Sequence, residues 1–151
     1  MFRTSLNDAL KDAMKAKDPC AVSTLRLILA ALKDRDIAAR GKGEADGIQD
    51  AEILDMLQKM IQQRRESIEM YRKGGREDLV EKETAEIAVI RRFLPKQLDE
   101  NEMRGAVAEV VGELEASTIK DMGRVMGALK ERYAGRMDFA KASAIVKDRL
   151  G

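Results

Sequence analysis

The chain has 151 residues, of which 44% are hydrophobic and 36% are charged, and it carries a formal net charge of +1. A chain of this length forms one domain or two small ones, and a charge so close to zero gives no overall signal for nucleic acid or a membrane surface. The single cysteine excludes an internal disulfide, no apolar run approaches the about 18 residues of a membrane span, and the first residues do not resemble a signal peptide. We therefore expect a cytoplasmic protein without a membrane segment.

Four helices are predicted in the first 95 residues, because apolar side chains recur there three or four positions apart. The predicted helices run from about Ser5 to Lys17, Pro19 to Ala39, Asp50 to Lys73 and Glu77 to Leu94. Asp18 is expected to cap the second helix, with Pro19 in its first turn. The charged residues 33–36 and the polar belt at residues 62–67 are predicted to face solvent.

Glycines mark the connections between these helices. Residues 41–47 lack the Gly-Lys-Ser/Thr ending of a phosphate-binding loop and have no strand before them, so we interpret them as a flexible connector. Gly74 and Gly75 are predicted to end the third helix and to turn the chain into an antiparallel hairpin with the fourth.

Pro95 is predicted to mark a domain boundary. It has no N–H and disfavours the helical conformation of the residue before it, so the fourth helix must stop there. Asp99 is expected to cap a fifth helix, with Glu102 completing a capping box. We predict an all-α protein, with an N-terminal four-helix domain at residues 1–95 and a three-helix tail bundle at residues 96–151. Pro95 and Leu98 are the predicted hinge that sets the orientation of the tail.

The helices predicted in the tail run from about Glu100 to Leu114, from Thr118 to Tyr133, and from Asp138 to Leu150. Gly123 and Gly127 lie four residues apart on one side of the middle helix. Each costs up to about 1 kcal/mol of helix stability relative to alanine. Either close packing against another helix of the tail or the close approach of a partner's backbone would account for these structural glycines.

Charge is distributed unevenly along the tail. Residues 93–116 contain two bases and six acids, whereas residues 117–151 contain eight bases and four acids. Such a basic segment can bind backbone phosphates without reading sequence, although an ordinary solvated surface has the same composition. The candidate nucleic-acid-binding residues are Lys120, Arg124, Lys130, Arg132, Arg136 and Lys141.

Residues with catalytic chemistry are scarce. The chain contains no histidine, which removes the most common general base and the usual zinc ligands, and its one cysteine, Cys20, is interpreted as a small residue packed near a helix start. The acid pairs Asp34/Asp36 and Glu81/Glu83 have the spacing of exposed helix positions. We therefore predict no catalytic residue, no metal site and no cofactor.

Several motifs resemble those of the GatB/YqeY family, in the same order and with similar spacing along nearly the whole chain. The motifs are Arg64-Arg65-Glu66-Ser67-Ile68-Glu69, Gly75-Arg76-Glu77-Asp78-Leu79-Val80, Phe93-Leu94-Pro95-Lys96-Gln97-Leu98 and Met122-Gly123-Arg124-Val125-Met126-Gly127. In that family the same two-part helical unit forms the C-terminal end of the B subunit of tRNA-dependent amidotransferase, whose small tail domain contacts the tRNA body.

The resemblance implies a tRNA-associated helical module. It also implies an association with carbon–nitrogen ligase activity that uses glutamine as amide donor, but the large catalytic domain of the B subunit has no counterpart here, so we do not expect an autonomous enzyme. The implied partners are tRNA and amidotransferase or other translation-related proteins, and we expect a monomer. The alternative is a protein-interaction scaffold that uses the hairpin of the third and fourth helices and has no RNA role.

Overall fold

The computed structural model describes residues 2–151, which form α-helices and one short 3₁₀ turn, and this described part contains no β-strand. The prediction of an all-α protein is confirmed. The chain divides into two compact units, Met1–Leu94 and Pro95–Gly151. The helices are α1 (Phe2–Lys15), α2 (Pro19–Gly41), α3 (Asp50–Lys73) and α4 (Glu77–Arg91) in the first unit, and α5 (Glu100–Glu113), α6 (Met122–Arg132) and α7 (Phe139–Leu150) in the second. This arrangement is compatible with the predicted four helices followed by three.

The first unit is held together by a continuous apolar core. α2 packs against both α1 and α4, and α3 packs along α4 after the turn at Gly74 and Gly75, as an antiparallel hairpin requires. Gly75 has the left-handed backbone conformation that suits glycine, with φ at +71°. The side chains that are fully buried at the centre of this core are Leu6, Leu25, Ile28, Ile53, Leu57 and Ile90.

The start of the chain differs from the prediction. α1 begins at Phe2, so Ser5, the predicted start, lies inside the helix. The helix ends where Lys17 adopts a left-handed conformation with φ at +55°. Asp18 then caps α2 as predicted, because its carboxylate accepts a hydrogen bond of 3.1 Å from the backbone N–H of Ala21.

The charged end of α2 was predicted to face solvent, and for Asp36 this prediction is wrong. Asp36 is only 7% exposed, and its carboxylate accepts hydrogen bonds from Arg3 Nη2 at 2.6 Å and from the backbone N–H of Ile48 at 2.9 Å. Gly47, with φ at +81°, passes so close that an added Cβ would lie 2.2 Å from Asp36 Oδ1. The connector at residues 41–47 is therefore fixed at its end, because a buried carboxylate needs partners.

The polar belt of α3 was also predicted to face solvent, and Arg64 contradicts this. Its side chain is 12% exposed, and its Nε lies 2.9 Å from Glu86 Oε2 on α4. Its Nη1 donates to the carbonyl of Met60 at 3.0 Å. Glu83 is the second carboxylate near this guanidinium, 3.9 Å from Nε. Burial, together with the charge of Glu86, raises the pKa of the Glu83 carboxyl.

The tail unit has its own core, formed by α5, α6 and α7. α5 begins with the predicted capping box, since Asp99 accepts from the N–H of Glu102 at 2.7 Å and Glu102 accepts from the N–H of Asp99 at 3.1 Å. α6 follows a 3₁₀ turn at Ile119–Asp121, so the predicted start at Thr118 is about one turn too early. The fully buried side chains of this core are Val107, Val110, Val125, Leu129, Met137 and Val146.

Candidate nucleic-acid interface

The 3₁₀ turn and the start of α6 are held together by Asp121. Its carboxylate accepts from the backbone N–H of Ser117 at 3.0 Å and of Thr118 at 3.3 Å, and from Arg124 Nη2 at 2.8 Å. These contacts, the one from Ser117 foremost, lower the pKa of Asp121 to about 2. The side chain of Arg124 is oriented by this ion pair but remains 56% exposed, so its guanidinium can still reach an anion.

Three of the candidate bases carry charges that nothing in the described structure offsets. Lys120, Lys130 and Lys141 are exposed, and within residues 2–151 none of their side chains makes a hydrogen bond or an ion pair. Lys120 lies in the 3₁₀ turn, Lys130 near the end of α6 and Lys141 in the first turn of α7. An approaching phosphate would therefore meet full ammonium charges at these positions.

The other two candidate bases are engaged in contacts inside the tail. Arg132 forms an ion pair with Glu113 of α5, and this hydrogen bond raises the pKa of Arg132. Arg136 is half-buried, and its Nε donates to the carbonyl of Lys96 at 3.3 Å. Both arginines thus connect elements of the tail to one another, in addition to any contact with a ligand.

The outer face of α6 has no side chains at two positions. Val125 and Leu129 are buried in the core, and Gly123 and Gly127 lie on the opposite side of the helix, exposed to solvent. An added Cβ at either glycine would meet no atom within 4 Å. Close packing against another helix of the tail therefore does not explain these glycines, and the alternative from the sequence, the close approach of a partner's backbone, remains.

We call this surface the glycine face; it comprises Gly123 and Gly127 with the bases Lys120, Arg124 and Lys130 at its borders. Gly123, Gly127 and Lys130 follow one another at intervals of four and three residues, which places them along one side of the helix. Lys120 precedes Gly123 by three residues. The face is thus exposed helix backbone surrounded by positive charge.

The predicted hinge residues lie where the tail unit begins. The backbone N–H of Leu98 donates to the carbonyl of Arg136 at 2.7 Å, and the Leu98 side chain packs against the tail core. Gln97 Nε2 donates to the carbonyls of Gly135 and Pro95. Residues 96–98 are therefore fastened to the turn at residues 133–136 within the same unit. No sequence pattern indicates the bonds to the turn, because they join groups 38 to 40 residues apart.

Within residues 2–151 no group of three or more His, Cys, Asp or Glu side chains is placed to hold a metal ion. None of the helices in this described part is long and apolar enough to cross a membrane.

Comparison with known proteins identifies the family. The family model described as Yqey-like protein matches residues 3–150. The chain belongs to the YqeY family. The resemblance seen in the sequence motifs is thereby confirmed.

Curated relatives of this YqeY-family chain are fungal proteins named "Altered inheritance of mitochondria protein 41, mitochondrial". The protein from Lachancea thermotolerans is 36% identical over 75% of this chain and 59% of its own length. The one from Eremothecium gossypii is 38% identical over 59% of this chain and 46% of its own length. A protein from Saccharomyces cerevisiae is 32% identical over 80% of this chain and 68% of its own length. The chain spans about half to two thirds of the length of these relatives.

These names correct one prediction. The expected cytoplasmic location is wrong by this comparison, because the relatives are named as mitochondrial proteins. The expectation was based on the single cysteine and on an N-terminus unlike a signal peptide. Neither feature distinguishes the cytoplasm from a mitochondrion.

Proposed function

We propose that this YqeY-family chain binds tRNA, or an RNA of similar shape, through the glycine face of α6. The observation that carries the proposal is the combination of two exposed glycines on one side of α6, with open space before them, and the bases Lys120, Arg124 and Lys130 at their borders. Glycine in a helix costs stability, and no packing contact within the described structure accounts for that cost. A phosphate backbone lying against the helix would account for it, since a side chain there would hold the RNA away.

The charges at the borders of the glycine face support the same ligand. Lys120 and Lys130 have no partner among residues 2–151, and Arg124 keeps a largely exposed guanidinium. Contacts of this kind bind phosphates and position the ligand, but they do not distinguish one base sequence from another. The binding is therefore weak, depends strongly on salt, and recognises the shape of the RNA.

The narrower role is that of an accessory to tRNA-dependent amidation. The resemblance to the C-terminal region of the amidotransferase B subunit supports it, and so does the lack of histidine in the chain. In this role the chain holds tRNA, while other subunits supply the carbon–nitrogen ligase chemistry with glutamine as amide donor. The chain itself contributes binding and not catalysis.

Reversal of two charges at the glycine face is expected to weaken tRNA binding about tenfold or more at low salt. The variant is Lys120→Glu/Lys130→Glu, and the control is Lys147→Glu/Arg149→Glu, which changes the net charge equally at exposed positions of α7. In fluorescence-anisotropy titrations against salt, the slope of log affinity should fall by about 2 for the first variant.

Equal losses in both variants would show that only net charge matters, and unchanged binding in both would refute the proposal. The accessory role is tested with the same pair of variants in a reconstituted transamidation reaction. The wild-type chain and the control should change its rate or its tRNA affinity, and the Lys120→Glu/Lys130→Glu variant should not. If the wild-type chain has no effect, the accessory role is wrong, whatever the outcome for RNA binding.

Alanine at Gly127 is expected to stabilise the tail and yet to weaken tRNA binding. The new methyl group meets open space, so helix stability rises by up to about 1 kcal/mol. The same methyl group holds the RNA backbone away, at a cost of about fivefold in affinity, or about 1 kcal/mol. Thermal unfolding and anisotropy titration measure the two effects separately.

Gly105 provides the matched control for this prediction. It is also exposed in the interior of a tail helix, α5, and an added Cβ there also meets no atom within 4 Å. Gly105→Ala should therefore give a similar gain in stability with unchanged affinity. Identical affinities for wild type, Gly105→Ala and Gly127→Ala would mean that no ligand approaches α6 closely.

A further inference from the structure

The first unit also has an exposed surface of interest, on the outer side of α2. The core side of this helix buries Leu25, Ile28 and Leu32. On the opposite side Leu27 is 48% and Ile37 is 55% exposed. We call this surface the outer face of α2; its members, spaced three or four residues apart, are Leu27, Ala30, Asp34, Ile37 and Ala38.

A row of bases runs along one edge of this face. Arg26, Lys33 and Arg40 lie seven residues apart, so they fall on nearly the same side of the helix at intervals of about 10 Å. All three are exposed. Within residues 2–151 none of their side chains makes a hydrogen bond or an ion pair, although Arg40 is near enough to Asp36 to help lower the pKa of its carboxyl.

The acids of α2 offset this row only at Arg40, which interacts with Asp36. The helix contains only Asp34 and Asp36. Asp36 is buried and bound to Arg3, whereas Asp34 is exposed in the middle of the outer face. The surface thus combines an apolar stripe, a continuous row of positive charge at its edge and one central negative charge.

We infer that the outer face of α2 docks an acidic amphipathic helix of a partner protein. Apolar side chains of such a helix would pack between Leu27 and Ile37 and over the small Ala30, in the way that helices bind grooves. Acids beside that apolar stripe would pair with the basic row, and a single base would meet Asp34. This inference does not rest on the proposed RNA function, because it concerns other residues in the other unit.

The charges argue against other occupants. A second copy of α2 has no row of acids to offer, so two copies would bring their basic rows together or leave them unpaired. An anionic lipid surface would suit the basic row but would place Asp34 among like charges. RNA would meet the same repulsion, and the exposed Leu27 and Ile37 would contribute nothing to phosphate binding.

The test uses the full chain and two designed helical peptides. Both carry leucines at i, i+3, i+4 and i+7 spacing with one central lysine; one has glutamates along its flanks, and the other has lysines there. We expect the glutamate peptide to bind about tenfold or more tightly than the lysine peptide. The triple variant Arg26→Glu/Lys33→Glu/Arg40→Glu should reverse that preference. Ile37→Ser should weaken the binding of the glutamate peptide and leave the preference unchanged.

The matched control is Lys73→Glu/Lys82→Glu/Arg91→Glu, which reverses three exposed bases on α3 and α4 and should behave like wild type. Circular dichroism confirms that each variant is folded. The inference is wrong if wild type binds both peptides equally or binds neither. It is also wrong if the three bases of the α2 row are needed instead for binding to phosphatidylserine vesicles, for tRNA binding, or for self-association in sedimentation.

Discussion

Replacement of Arg64 by Met destabilises the first unit by about 3 kcal/mol at neutral pH, because it removes one partner from a buried ion pair. Arg64 and Glu86 have side chains that are 12% and 8% exposed, so water cannot take the place of the lost guanidinium. Glu83 lies beside them, and the two carboxylates would then face each other without a base between them. Met keeps the apolar volume of the arginine stem, so the loss of stability measures mainly the removal of the guanidinium charge.

The pH dependence of this variant has a definite sign. Burial and Glu86 already raise the pKa of Glu83 in the folded protein. An acid whose pKa is higher in the folded than in the unfolded protein binds its proton more tightly in the folded state. The folding stability therefore falls as pH rises above the unfolded pKa and this proton is lost. Loss of Arg64 increases this penalty, so the difference from wild type should shrink as pH falls towards the ordinary glutamate value of about 4.3.

Urea unfolding at neutral and acidic pH measures this effect, and amide hydrogen exchange in α3 and α4 assigns it to the first unit. Arg72→Met is the matched control, since Arg72 is exposed on the same helix. Its stability should stay within about 0.5 kcal/mol of wild type. A difference that does not depend on pH would indicate lost packing and not an unpaired charge.

Asp36→Ala lowers the stability of the first unit by about 2 kcal/mol and its Tm by about 10 °C. The change leaves the N–H of Ile48 without its acceptor and Arg3 without its anion. The effect is smaller than at Arg64 because the side chain of Arg3 is 38% exposed and water can solvate it. Asp34→Ala is the control, an exposed acid on the same helix, and should change stability by less than about 0.5 kcal/mol.

Two further measurements separate this contact from a simple loss of volume. The hydrogen bond from Arg3 lowers the pKa of Asp36, so the stabilisation is present above the unfolded carboxyl pKa and is lost as pH falls towards the lowered folded value. Thermal unfolding against pH should therefore show wild type approaching Asp36→Ala in acid. Gly47→Ala should cost less in the Asp36→Ala background than in wild type, because the Asp36 carboxylate is the group that a Cβ would strike. If Gly47→Ala lowers stability equally in both backgrounds, the close contact between Gly47 and the Asp36 carboxylate is contradicted.

The sequence predicted the elements whose signals are local. α3 has the predicted bounds, Asp50–Lys73. Acids mark its first turn, apolar residues recur at helical spacing along it, and the glycine turn follows its last residue. The caps at Asp18 and Asp99 were predictable because their partners lie three residues away. The family was likewise apparent from short motifs in a fixed order, and the family model confirms it.

The features that escaped prediction are contacts between distant residues. Arg3 and Asp36 are 33 positions apart, and Arg64 and Glu86 are 22 apart, so no periodicity indicates that either pair meets. Asp36 and Arg64 lie in charged or polar segments, which composition alone assigns to solvent. At the candidate interface, charge counts identified the bases, but only the fold distinguishes Lys120 and Lys130 from Arg132, which is paired with Glu113.

The fastening of residues 96–98 to the turn at residues 133–136 has a consequence for gene fusion. The hydrogen bonds of residues 96–98 stay inside the tail unit. The unit to transfer in a fusion therefore begins at Pro95 and not at the first residue of α5. A tail joined to another protein at Pro95 would bring its own entry segment with it.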